Sequence, residues 1–154
     1  MYGLILPLHS WLRWLVLGAL LACWVRALGG LRAKRDWSAR DRRLLTLFVS
    51  AFDTQVLLGL TLYFVLSPLT PKSFADFGQH MRVAYLRFFA VEHATAMLLA
   101  LVTAHVTLPA ARRAATAVSR QRRLAWGLGL TLSLILSGVP WPFLVYGRPL
   151  FRGF

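Results

Sequence analysis

Residues 88–108 read FFAVEHATAMLLALVTAHVTL, an apolar run broken by one acid and two imidazoles. About 20 such residues, rising 1.5 Å each, cross the ~30 Å hydrocarbon core of a bilayer as a single helix. The run does not alternate polar and apolar residues over ~10 positions, so it is no barrel strand. A helix also satisfies its own backbone hydrogen bonds, as a chain in lipid must. Three further segments, 4–25, 44–66 and 124–146, have the same character. The expectation is an all-α integral membrane four-helix bundle, one domain over residues 1–154.

Composition agrees. Of 154 residues, 58% are hydrophobic, above the usual 45–50% of a soluble domain, which argues against a soluble globular enzyme and against disorder. The single cysteine, Cys23, excludes an intramolecular disulfide framework or a cysteine metal cluster. The net charge of +13 raises nucleic acid as a partner until the charges are located. Twelve Lys and Arg lie between spans one and two (Arg26, Arg32, Lys34, Arg35, Arg40, Arg42, Arg43) or three and four (Arg112, Arg113, Arg120, Arg122, Arg123). Only Lys72, Arg82, Arg87, Arg148 and Arg152 fall on the opposite side. By the positive-inside rule both basic loops are cytoplasmic and both termini outside, on the periplasmic side of a bacterial inner membrane. The charge then serves orientation and attraction to the anionic lipid bilayer, and no nucleic-acid partner is expected.

The first span lacks early Lys or Arg and a small-residue cleavage site, so it reads as a retained helix rather than a signal peptide. The six tryptophans cluster near predicted span ends, where indoles settle among headgroups. Pro109 marks the end of span three, and Pro140-Trp141-Pro142 is expected to kink or unwind the last turns of span four. The loop 67–85, with Phe74, Asp76, Phe77 and His80, is expected to hold a short helix on the membrane surface.

Ionisable groups inside hydrocarbon are costly and call for a partner or a purpose. Here they are His9, Arg13, Asp53, Glu92, His93 and His105, with Gln55 and Tyr63 as uncharged companions. In the expected orientation His9, Arg13, Tyr63, Glu92 and His93 share the outer leaflet, Asp53 and Gln55 lie near mid-membrane, and His105 lies toward the cytoplasm. His9 and Arg13 share a stripe, as do Gln55, Gly59 and Tyr63, whose glycine admits another helix or a flat ligand. Glu92 and His93 are adjacent and diverge by about 100°.

Three readings use these groups. In the first they are structural: Arg13 or Arg87 pairs with Glu92, Asp53 shares a proton with Gln55 or Tyr63, and His80 and His105 bond neighbouring segments. In the second, His9 and His93 ligate one haem b from different spans, with Arg13 near its propionates and Gln55 beside it. In the third, Glu92, Tyr63 and Asp53 act as acid–base groups toward quinone or along a proton path. A metal bound by His9 and His93 with Glu92 and His80 is a weaker variant, lacking an H-x-x-x-H or C-x-x-C spacing.

The pattern His9-Ser10-Trp11-Leu12-Arg13, Gln55-x-x-x-Gly59-x-x-x-Tyr63, Arg87-x-x-x-x-Glu92-His93 and Pro140-Trp141-Pro142 resembles a group of small bacterial four-helix membrane proteins. That resemblance covers most of the chain and implies the same fold. Members often carry His where this chain has Asp53, which marks the position as functional. Architecture and histidine placement also resemble b-type membrane cytochromes. The combined expectation is a small redox-linked subunit holding one haem b and exchanging electrons with quinone. Its rival is a non-catalytic accessory subunit, packed against other membrane subunits or its own copies in a larger respiratory or photosynthetic complex.

Overall fold

A computed structural model of the chain describes residues 1–70 and 76–151. Lys72, Phe74 and Arg152, which enter the reading above, lie outside the described residues. Every regular element among those described is helical: α1 Tyr2–Arg32, α2 Ala39–Thr61, the short α3 Phe77–His80 and α4 Ala84–Arg87, α5 His93–Arg112 and α6 Ala117–Gly138. α2 runs on into a π-helical turn, Leu62–Leu66, and a second π turn, Phe88–Glu92, joins α4 to α5.

Three continuous helical stretches, Tyr2–Arg32, Ala39–Leu66 and Ala84–Arg112, are long and apolar enough to cross a membrane. Their outer surfaces suit lipid: Leu21, Val25, Leu57, Phe64, Leu99, Val102 and Val106 are all exposed. Apolar surface on this scale marks contact with something other than water. α6 differs from the sequence reading. It carries Arg120, Arg122 and Arg123 in its first turns and stops at Gly138 instead of continuing to Tyr146. Pro140 and Pro142 explain the stop, because each lacks an N–H and disfavours helical geometry in the residue before it. The apolar part of α6, from Leu124 to Gly138, is therefore only about 22 Å long.

α5 packs most extensively on α6, and α1 packs on both α2 and α6, while α2 and α5 touch along a looser seam. α6 sits between two partners because its glycines let them approach. A Cβ at Gly127 would overlap the side chain of Thr107 on α5, and one at Gly129 would lie 2.9 Å from Trp24 Nε1 on α1. That indole donates to the Ala125 carbonyl at 2.9 Å. The core between the helices holds Phe48, Phe52, Leu20 and Leu128, each almost fully buried.

The basic end is knitted by side chains. Ser38 and Asp41 form a capping box at the start of α2, and Thr116 with Ser119 does the same for α6. Asp41 also pairs with Arg26 at 2.5 Å and Arg35 at 2.6 Å. Gln121, fully buried, donates to the Arg35 carbonyl at 2.9 Å, and Arg120 pairs with Asp36. These contacts place both basic connections at one end of the bundle.

Candidate functional site

The opposite end is built around a cavity of about 120 Å³ among α1, α2, α5 and the segment after α6. Its wall includes His9 and Arg13 from α1, Gln55 and Gly59 from α2, Tyr63 from the first π turn, and His93 and Met97 from α5. Stripe geometry puts them there: residues four apart on a helix share a face. π turns are rare and concentrate at functional sites. Here two of them border the cavity and are tied together, since the Tyr63 hydroxyl donates to the Ala90 carbonyl at 2.7 Å. The widened hydrogen bonds run from Ser67 N–H to the Leu62 carbonyl and from His93 N–H to the Phe88 carbonyl.

At the centre the imidazoles of His9 and His93 face each other edge to face, with ring centroids 6.4 Å apart. His93 Nδ1 donates to the Gly138 carbonyl at 2.7 Å, one of the groups freed where α6 stops. That bond fixes the tautomer and leaves His93 Nε2 with a lone pair. His9 has different neighbours. The Gln55 amide donates to the His9 carbonyl at 2.9 Å and lies 3.3 Å from His9 Nε2. Gly59 gives the ring room, because a Cβ there would stand 3.2 Å from His9 Cε1. His9 Nδ1, Gln55 Oε1 and Arg148 Nε are buried with no hydrogen-bond partner among the described residues. Buried orphans of this kind are uncommon and point to a water or ligand.

The segment after α6 folds back as a strap over the cavity mouth. Arg13 donates to the Leu150 carbonyl at 2.7 Å, and Trp14 Nε1 to the same oxygen at 3.2 Å. Phe151 stacks on Trp14, Tyr146 stacks on Phe88 at 3.8 Å, and Arg148 lies over Phe89 and donates to Tyr85. Arg13 and Arg148 thus bring two guanidiniums to one apolar-walled cavity. Arg148, Phe89 and the Gly138 carbonyl are not among the residues expected from sequence. The two prolines were the available signal, since a helix ended at Gly138 frees both a carbonyl and a strap.

The structure gathers His9, His93, Arg13, Gln55 and Tyr63 but places Glu92 and Asp53 elsewhere. Glu92 faces outward and pairs with Arg87 at 2.8 Å, because its neighbour His93 points in. Asp53 precedes Gln55 by two residues, about 200° around the helix, so an inward Gln55 turns Asp53 out. Its partner is neither Gln55 nor Tyr63 but His105 on α5, with Nε2 to Oδ1 at 3.4 Å. His80 donates to the Asp76 carbonyl within the connecting segment, away from the cavity. Among the described residues no three His, Cys, Asp or Glu side chains converge on a possible metal site, so Glu92 and His80 do not complete one with His9 and His93.

No protein-family model matches the chain, and comparison with curated proteins and with solved structures returns no significant match.

Proposed function

We propose that the protein is a small redox-linked subunit of a bacterial inner membrane that holds one haem b between His9 and His93. The facing imidazoles carry this reading. His9 and His93, brought together from different helices, would be the two residues that hold it. Their ring centroids are 6.4 Å apart. His93 has its remote nitrogen held by a carbonyl, the usual second contact of a metal-bound histidine. Gly59 supplies space beside His9, and Arg13 and Arg148 supply positive charge for carboxylate groups. The haem, when bound, supplies one-electron transfer. The chain's own groups orient the imidazoles, balance anionic substituents and keep the strap closed against water. Tyr63 borders the same cavity and would meet a quinone with its ring, its hydroxyl proton being held by the Ala90 carbonyl, whereas Glu92 and Asp53 lie outside it. In this reading α6, with the turns that follow Gly138, makes a short fourth crossing, with both termini outside.

Two observations favour the rival reading, a non-catalytic subunit of a larger assembly. The cavity of about 120 Å³ is below the roughly 300–1,000 Å³ of cofactor and ligand sites. The Gln55 amide also already faces His9 Nε2. Visible spectra of the purified protein, oxidised and dithionite-reduced, decide between the two. A Soret band with reduced α and β bands, lost in His93→Ala, supports haem. Well-folded protein expressed with ample haem supply but lacking those bands overturns haem and leaves the accessory-subunit reading in its place.

A further inference from the structure

Asp53 and His105 are half exposed, at 43% and 49% of their side-chain surfaces, on the seam where α2 and α5 meet. Asp53 stands about 15 Å of helix beyond Arg43, and His105 about 10 Å before Arg112, which sets both well inside their spans. Around them the seam is apolar: Leu57, Val102 and Val106 are exposed. The hydroxyls of Thr54 and Thr103 are spent on the carbonyls of Ser50 and Leu99 in their own helices. Along α2 and α5 the nearest charged groups are Arg43 and Arg112 at one end and Glu92 at the other. Among the described residues, no ionisable side chain of α1 or α6 comes within ion-pair distance of the pair.

The hydrogen count follows from the contacts. His105 Nδ1 lies 3.1 Å from the Leu101 carbonyl, and only an N–H can face that oxygen. Nε2 therefore meets Asp53 Oδ1 either as a lone pair or as a second N–H. A lone pair against a carboxylate repels and leaves a net negative charge in lipid. An imidazolium beside a protonated acid leaves a net positive one. One proton between the two groups, on either of them, makes the pair neutral.

We propose that Asp53 and His105 form a one-proton site on the lipid-facing α2–α5 seam, its carboxyl open to hydrophobic reagents dissolved in the membrane. The site is separate from the His9–His93 cavity and rests on the reading of α2 and α5 as membrane-crossing, not on haem.

Dicyclohexylcarbodiimide, which partitions into lipid and reacts with protonated carboxyls, tests it on the full chain in native membranes. The Asp53 oxygen bonds to the carbodiimide carbon and the shared proton passes to a carbodiimide nitrogen. An oxygen-to-nitrogen acyl shift then leaves an N-acylurea containing every atom of both reactants. Peptide mapping by mass spectrometry should find the adduct at Asp53. A charged, water-soluble carbodiimide should modify Asp76, which has no Arg ion pair among the described residues, and leave Asp53 untouched. His105→Leu should keep the Asp53 adduct, because the carboxyl must then hold the proton alone. His105→Arg should lose it, because a permanent cation keeps the carboxylate ionised. Circular dichroism of each purified variant confirms that it is folded. No adduct in the folded wild type, or an adduct that persists in folded His105→Arg, overturns the one-proton site. Equal modification of Asp53 by the water-soluble reagent shows that the seam faces water and overturns its lipid exposure, whatever the haem spectra show.

Discussion

Replacing Gly127 by Ala sets two known effects against each other. Alanine in place of glycine within a helix is worth about 1 kcal/mol in favour of the variant. The new methyl, however, would overlap Thr107, a buried, β-branched residue with little rotamer freedom. Overpacking of a tight contact costs about 1–3 kcal/mol. The overlap involves several atoms of a side chain held on a neighbouring helix, so its cost falls toward the upper end of that range. The expected net result is a loss of about 1–2 kcal/mol, lowering the thermal midpoint by on the order of 4 °C. Gly18→Ala is the internal control. A Cβ there meets nothing within 4 Å, so that variant should be unchanged or more stable by up to about 1 kcal/mol. Adding Thr107→Gly to Gly127→Ala moves the small residue to the other helix and should recover most of the loss, a coupling of about 1 kcal/mol or more. Thermal unfolding in detergent, followed by far-ultraviolet circular dichroism, measures these four proteins and the Thr107→Gly single variant that the coupling requires. If Gly127→Ala is as stable as Gly18→Ala, or the paired changes merely add, the close α5–α6 approach does not limit stability.

Other outcomes follow from the two ends of the bundle. Gly59→Leu fills the space beside His9 and should sharply reduce haem absorbance at unchanged helix content; full absorbance would place the ligand elsewhere. In a Cys23→Ser background, a cysteine at Lys34 should react with a membrane-impermeant maleimide only after cell permeabilisation, and one at Gln79 should react in intact cells. The reverse pattern would invert the bundle. The Trp37 amide first, and the Arg120 guanidinium with it, hold the Asp36 carboxyl below the usual carboxylate range. A lowered folded pKa adds stability above the unfolded value near 4 and loses it as pH falls below that value. Asp36→Asn should therefore flatten the acid side of the midpoint-versus-pH curve slightly and leave the neutral side nearly parallel, the effect staying small because the group is exposed.

Much of the fold is legible in single segments. Length and hydropathy are local properties, so the stretches around 4–25, 44–66 and 88–108 show themselves without knowledge of their neighbours. The stripe rule likewise predicts which residues share a face, and His9 with Arg13 and Gln55 with Gly59 and Tyr63 do line one cavity. The same rule, applied further, would have turned Asp53 and Glu92 outward, since each stands one or two residues from an inward partner. The end of α6 was half legible. Its prolines announce a break, but a run of apolar residues continues through them and mimics a span.

By itself, then, the sequence determined the helical class, four apolar segments of which three are membrane-length helices among the described residues, and a strong separation of basic charge along its length. These follow from backbone hydrogen bonding and side-chain transfer, which depend on each segment alone. Only the tertiary structure decided which polar groups meet. His9 facing His93, the Gly138 carbonyl holding His93, Arg148 carried over the cavity by the strap, and Asp53 turned to His105 all join residues of different elements. Their pairing depends on helix rotation and on glycines that set how closely helices approach, and neither is encoded in the hydropathy of any one segment.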